Sequence, residues 1–457
     1  MPTLIDFLER AVDGALITED EFNLQRLIPN IKKLVKEYDI RYLPANVVPS
    51  DDALADRLFQ AAIELLLRTG VFCENTNRLI HFQHQEILEA LDSLPEGAYF
   101  GEGRQRGLFK YRRPDDGALP WFHTGAGIVS STEDLALAVV EGYASLARAN
   151  SISIPAFNRL RHLAVTGGSP LEIHAAVRSV QAGRKALANA GRPGLPILNL
   201  ISSATTSAGT LAGSHPAFGL RPSDGWLIDF LGEMKINFES LNRLALVQLT
   251  GGNVGSTPLP ILGGYGGGAP GTALLMAAYY LAGMVLYQGA YHLTSPIHFR
   301  YGCSTSRDCL WVFSIVGRAM SRNTRYPAIA LGYTAAGPAT SMYFHEAAAL
   351  MLACVSSGYP GIQTAHPARA VIDDGITPLD AQFCIEVAAA ATHIHTNQTG
   401  DIVRRLLESY EKQIADAPPG LRFQDCYHLS ANRPTESYYR MYAQAKEELA
   451  QYGLLFP

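Results

Sequence analysis

Few residues of this chain stand in familiar catalytic patterns. Gly266, Gly268 and Gly271 fit G-x-G-x-x-G between an apolar segment and a helical one, the setting of a dinucleotide fingerprint. That fingerprint needs an acidic residue about twenty positions on to hold a ribose. From Thr272 to Arg300 there is no Asp or Glu, which counts against it. His292 and His298 are candidate metal ligands, but their spacing fits no common zinc pattern and no carboxylate lies between them. Hydrogen-bonded core histidines are the plainer reading. His393 and His395 straddle a helix end, where capping explains them. Gly-x-Ser-x-Gly is absent. Cys73, Cys303, Cys309, Cys354, Cys384 and Cys426 form no CxxC and sit mostly in apolar runs, as reduced core cysteines do. The residues thus predict no metal site and no tightly bound cofactor.

The elements that would position chemistry begin with a mainly helical stretch. Leu54, Leu58, Ala62 and Leu65 recur at helical spacing behind Asp51–Asp52, with Gly70 as the stop. Val71–Phe82 reads as a short hairpin and Gln85–Leu94 as a helix. From Gly97 the texture becomes alternating. Trp121–Ser130 is a strand and loop, and Ser131–Ala147 a helix with Asp134 placed for a capping box. Ile152–Phe157 and Leu195–Leu200 read as strands, and Ser169 opens a helix running to Asn189. The helix Phe238–Leu249 leads to a strand at Thr257–Leu262, a glycine loop and an uncharged helix, Thr272–Gly289. Ile297–Tyr301 is the next strand, with His298 and Arg300 on one face. Helix Asp308–Ser321, strand Tyr326–Tyr333, helix Ser341–Ser357, strand Gly361–Val371 and helix Pro378–His393 continue the series. This repetition predicts an α/β fold, a (β/α)₈ TIM-type barrel. Its expected divisions are an N-terminal helical extension (1–96), the barrel (97–398) and a C-terminal helical tail (399–457). In such a barrel chemistry belongs at the C-terminal strand ends. Here those are Asn199–Ser203, Leu262–Tyr265, Tyr301–Ser304, Tyr333–Gly337 and Thr364–His366, which hold glycines, hydroxyls, Tyr265, Tyr333 and His366 but almost no carboxylate. General acid–base catalysis would be poorly equipped.

Composition narrows the class further. With 47% hydrophobic and 17% charged residues a large core is available, and a net charge of −5 disfavours nucleic-acid binding. Thr272–Gly289 has the length of a membrane span. Its glycines, alanines and tyrosines, without flanking Lys or Arg, instead predict a helix buried in a core or an oligomer interface. The amphipathic, acidic start after Met1–Pro2 resembles neither a signal nor a transit peptide, so a cytoplasmic protein without a membrane partner is expected.

Longer motifs carry a resemblance. GRPG at Gly191–Gly194, PILGGYGGG at Pro260–Gly268, HLTSPIHFRYGCSTSRDCL at His292–Leu310 and AGPATSM at Ala336–Met342 look like the monomethylamine:corrinoid methyltransferase family. APPGLRFQDCY at Ala417–Tyr427 and PTESYY at Pro434–Tyr439 extend it over nearly the whole chain. The resemblance implies a (β/α)₈ barrel and a homo-oligomer, most plausibly a hexamer. It also implies transfer of a methyl group from an amine to the cobalt of a corrinoid carried by a partner protein. The chain itself has no Asp-x-His-x-x-Gly cobalamin motif.

The departures bear on substrate. Counted from the shared motif, the family's pyrrolysine position is Leu198, and the acidic residue three positions on is Ile201. A second acidic position aligns with Thr257, a glutamine with Leu331, and Tyr333 is retained. Leucine has no electrophile to capture an amine, so the resemblance implies a remodelled, pyrrolysine-independent pocket. A quaternary ammonium or sulfonium methyl is already activated and suits an aromatic or apolar pocket. Leu198, Ile201, Thr257, Leu331 and Tyr333 would line it, with Tyr333 or Tyr265 facing the cation and His298 or Arg300 holding a substrate carboxylate. A neutral ether or thioether would need an acid. The alternatives are monomethylamine demethylation, an idle homologue retained for binding or assembly, and a recoded Leu198, against which the concurrent changes at Ile201, Thr257 and Leu331 speak.

Overall fold

Residues 2–199, 206–217 and 219–456 are described in the computed structural model. Eight short strands alternate with eight helices. The strands are β1 Trp121–Thr124, β2 Ser151–Ile152, β3 Leu198–Asn199, β4 Gly225–Asp229, β5 Asn253–Thr257, β6 Tyr291–Thr294, β7 Ala328–Ala330 and β8 Gly361–Gln363. The helices that follow them are α1 Glu133–Ser145, α2 Pro170–Asn189, α3 Ser207–Gly213, α4 Phe238–Leu249, α5 Ala269–Val285, α6 Arg307–Asn323, α7 Ser341–Ser356 and α8 Pro378–Ala391. Neighbouring strands pair in parallel in chain order from β3 through β8 to β1 and β2, and an Ile152–Ile197 bridge closes the ring. The fold is a (β/α)₈ barrel.

Strand alternation sends one residue in two inward. Trp121, Leu198, Tyr291, Leu293, Ile329 and Leu331 form one interior cluster. Phe100 and Phe109 complete it from the antiparallel hairpin Gly97–Phe100/Gly107–Lys110, which plugs the N-terminal end. Inward glycines make room for these rings. A Cβ on Gly255 would lie 2.3 Å from Tyr291 Cζ, and one on Gly361 would lie 2.9 Å from Phe109 Cζ.

The uncharged helix α5 is buried because the barrel covers one side and helix Asp52–Thr69 the other. Arg318 and Arg322 of α6 fix that extension through Asp52 and Asp56, with contacts of 2.6–2.9 Å. Helices Thr396–Tyr410 and Glu436–Gln451 cover α7 in the same way. No described helix is long and apolar enough to cross a membrane. All six cysteines are buried and free.

Several expected boundaries move. Thr257–Leu262 and Ile297–Tyr301 are not barrel strands: β5 ends at Thr257 and β6 at Thr294, while Ile261–Leu262 and Ile297–His298 pair separately beyond them. Pro258, Pro260 and Pro296 lack the N–H a continuous ladder requires. The strand expected at Gly361–Val371 stops at Gln363, with one further bridge from His366 to Tyr333, and left-handed backbone at Ala368, Arg369 and Ala370 rules out its continuing to Val371. Thr132, not Ser131, caps α1, and no capping box forms there; Ser131 N–H donates to Asp374 at 2.8 Å instead. Gly225–Asp229 is a strand the alternation did not reveal.

Candidate active site

The C-terminal end of the barrel gathers the chemistry. Trp121 faces the interior, so His123, two residues on, shares its face. Ser151 Oγ accepts from Trp121 Nε1 at 2.8 Å and lies 2.8 Å from His123 Nδ1. Its hydroxyl either donates to Nδ1 or accepts from Nδ1–H, so the neutral His123 ring carries its proton on Nε2 or Nδ1 accordingly. Gln363 is the cross-strand partner of His123. Its Nε2 donates to Gly125 O at 3.2 Å and to His366 Nε2 at 3.1 Å, which leaves His366 protonated at Nδ1. Burial depresses both histidines to about 3, and at His123 the nearby His366 ring adds to the effect. They are neutral at any physiological pH.

Tyr333 stands edge-on to His366 with ring centroids 4.9 Å apart, and burial lifts its hydroxyl to about 12. Its loop is tied down. Ser304 N–H donates to Tyr333 O at 2.7 Å, and the buried carboxylate of Glu346 accepts from Ala335 and Ala336 N–H at 2.8 Å each. Glu346 also accepts from Thr305, and burial pushes it up to about 7. The left-handed run after His366 is held by Arg369, which bonds Tyr301 O and Ile414 O at 2.7 and 2.8 Å. Left-handed non-glycine residues cost about 1–3 kcal/mol each and cluster where a site demands them.

Leu198 is fully buried against Tyr291, and Leu331 lies in the same wall. Thr257 ends β5 in register with Asp229 of β4, whose carboxylate accepts from Arg243 of α4 at 3.0 Å. Thr257, Leu331 and Tyr333 therefore lie toward the barrel's C-terminal end, whereas Leu198 lies deeper, in register with Gly225 at the start of β4. Ile201 lies outside the described residues. The other three sequence candidates lie apart, because the prolines carry them beyond the barrel strands. Tyr265 is half exposed, receiving Asn23 Nδ2 at 3.4 Å with Lys235 over its ring. His298 stacks on Tyr301 beside Asp308, and Arg300 is exposed at the rim. Tyr265, His298 and Arg300 thus stand beyond the C-terminal strand ends and not in the barrel interior.

The glycine loop has an internal explanation. Glu233 is buried beneath it, and a Cβ on Gly264 would lie 2.6 Å from Glu233 Oε1. Burial raises this carboxyl to about 7, moderated by the N–H groups of Tyr265, Ile261 and Gly266 that face it. His292 packs outside the ladder, 2.6 Å from Ser256 Oγ and stacked on Tyr280. No described group of His, Cys, Asp and Glu is arranged to hold a metal. Sequence reasoning missed His123, Gln363 and Asp229. The sequence offered little signal for them, since each stands once in a strand of three to five residues.

A closed parallel barrel, plugged below and carrying polar groups at the C-terminal end of its interior, defines an enzyme of the (β/α)₈ class. The family model for monomethylamine methyltransferase MtmB matches residues 3–454, and the chain belongs to that family. Monomethylamine methyltransferases of Methanosarcina barkeri and Methanosarcina acetivorans are 28% and 29% identical over 454 residues, covering 99% of this chain and 98% of each relative. The crystal structure of the Methanosarcina barkeri enzyme superposes with a TM-score of 0.95 at 27% identity, covering 99% and 98% of the two chains. Its hydroxylamine complex matches equally well. The chain is a methyltransferase.

Proposed function

We propose that this protein moves a methyl group from a quaternary amine, or a similarly activated onium compound, to Co(I) of a corrinoid carried by a partner protein, without pyrrolysine. The observation that carries this reading is Leu198, a fully buried leucine packed on Tyr291 where the family resemblance places the amine-capturing residue. Leu331 and Thr257 extend a wall with no electrophile to form an adduct.

An onium methyl needs no adduct. The carbon–nitrogen bond breaks with its electron pair passing to the departing tertiary amine, while the methyl carbon receives the cobalt's pair. No proton is exchanged. The partner's corrinoid supplies the nucleophile, and the protein's task is to aim the methyl and exclude water. Tyr333 offers a π-face to the cation, and Asp229 gives the barrel's C-terminal end a carboxylate, shared with Arg243. The neutral histidines add no repelling charge.

The names of the relatives support a second reading, in which monomethylamine is the donor. Mixing the protein with a Co(I) corrinoid protein and a panel of methylated amines and sulfonium compounds separates the two. Formation of methyl-Co(III) from quaternary amines and not from monomethylamine is expected. Methylation from monomethylamine would overturn the reading from Leu198.

A further inference from the structure

The inner wall is chemically divided. Leu198, Leu293 and Leu331 line it on β3, β6 and the end of β7, whereas Ser151, His123 and Gln363 line it on β2, β1 and β8, with His366 just beyond. All four polar residues are more than nine-tenths buried. After the bonds described above, His123 Nε2, His366 Nδ1 and Gln363 Oε1 have no hydrogen-bond partner. Of these, His366 Nδ1 is a donor, Gln363 Oε1 is an acceptor, and His123 Nε2 is one or the other according to its tautomer. Buried polar atoms without partners cost about 1–3 kcal/mol each, and three of them on one inner wall offer an entering polar group somewhere to bond.

A hydroxyl matches this donor and acceptor: it accepts from His366 Nδ1–H and gives its proton to Gln363 Oε1. A carboxylate does not. It has no proton for Gln363, and none of these wall residues is Lys or Arg to balance its charge. Tyr333, its ring centroid 4.9 Å from that of His366, puts an aromatic ring beside the patch. The hydroxyl and the onium group must then be joined by a short linker.

We propose that His123, Gln363 and His366 form the polar recognition end of the substrate pocket and select a hydroxyl-bearing onium compound over a carboxylate-bearing one. This rests on the reading that the barrel interior holds the methyl donor. It assigns specificity to three residues and replaces the expected carboxylate contact at Arg300 or His298.

Calorimetric titration of the full-length protein with three trimethylammonium compounds tests it: choline, n-propyltrimethylammonium, which has a methyl in place of the hydroxyl, and glycine betaine. Choline should bind about tenfold or more tighter than either of the others, because a polar site left unpaired rejects the analogue. Gln363→Leu should bring choline and n-propyltrimethylammonium within about threefold of each other while the latter's own affinity holds, a change that general loosening would not produce. His366→Phe should do the same, and if neither variant folds the comparison on the unaltered protein still decides. Equal affinity for choline and the propyl compound, or tighter binding of betaine, overturns the recognition patch and leaves the onium reading standing. Absence of binding by all three removes both.

Discussion

Leu198 and Tyr333 occupy opposite roles in the same interior. Leu198 has no exposed surface and packs against Tyr291 and Gly225, so its side chain holds the wall in place. Leu198→Ala should lower unfolding free energy by about 2–5 kcal/mol in urea melts, the range for a buried leucine whose site cannot collapse. A loss well under that would mean that the leucine borders open space. Tyr333 is partly exposed at the mouth and should act through its ring. Tyr333→Phe should retain onium affinity, and Tyr333→Leu should weaken it about 3- to 30-fold, as expected for a lost cation–π contact. Equal loss in both variants would point to the hydroxyl instead. Leu198, Leu331 and Tyr333 were legible in the sequence because long motifs flank them. His123 and Gln363 were not, since a lone polar residue in a strand of two to four residues gives no pattern until the partner strand is known. Tyr265, His298 and Arg300 were misplaced for a definite reason: the chain reads as strand through Pro258, Pro260 and Pro296, but the ladder cannot.

The elements depend on a trade between strands and plug. Gly225, Gly255 and Gly361 leave gaps in the inward face, and Tyr291 and Phe109 fill them. Gly255→Ala should therefore destabilise the protein by about 1–3 kcal/mol, since the new methyl meets the Tyr291 ring at Cζ, Cε1 and Oη. Tyr291→Leu removes those atoms. The pair should be strongly non-additive, with the double variant more stable than the sum of the single effects predicts. Additive losses would place the strain in the backbone. The alternation of strand and helix was readable because the helices are long, with apolar faces and clear caps such as Asn237, Thr340 and Thr377. The strands were less so. Most contribute two to four ladder residues, and β4 carries Gly225 and Asp229 at its ends, so it lacks the apolar run that marks a buried parallel strand.

Across the whole molecule two sets of buried groups pull stability in opposite directions with pH. Burial raises Glu233, Glu346 and Asp380 to about 7 each. Between the ordinary carboxylate range and that value the folded state holds more protons than the unfolded one, so these groups lower stability as pH rises. Burial depresses His123, His292 and His366 to about 3 each. Between about 3 and 6.5 the unfolded chain binds the extra protons, so these groups raise stability with pH. From about pH 4.5 to 6.5 the two sets offset each other, and unfolding free energy should be nearly level. Below about 4 the histidines are joined by carboxylates whose ion pairs hold them below the usual range, such as Asp56 with Arg322 and Glu19 with Lys235, and stability should fall. Single substitutions expose the balance. Glu346→Gln removes one raised carboxyl, and its stability should climb with pH relative to the unaltered protein by at most about 1.4 kcal/mol per unit across that window. His292→Gln, which leaves the candidate pocket alone, should give the opposite tilt. Urea melts at pH 4.5, 5.5 and 6.5 on the three proteins read the slopes directly. Three parallel profiles would mean that neither residue changes its proton affinity on folding, and the level region would then need another cause.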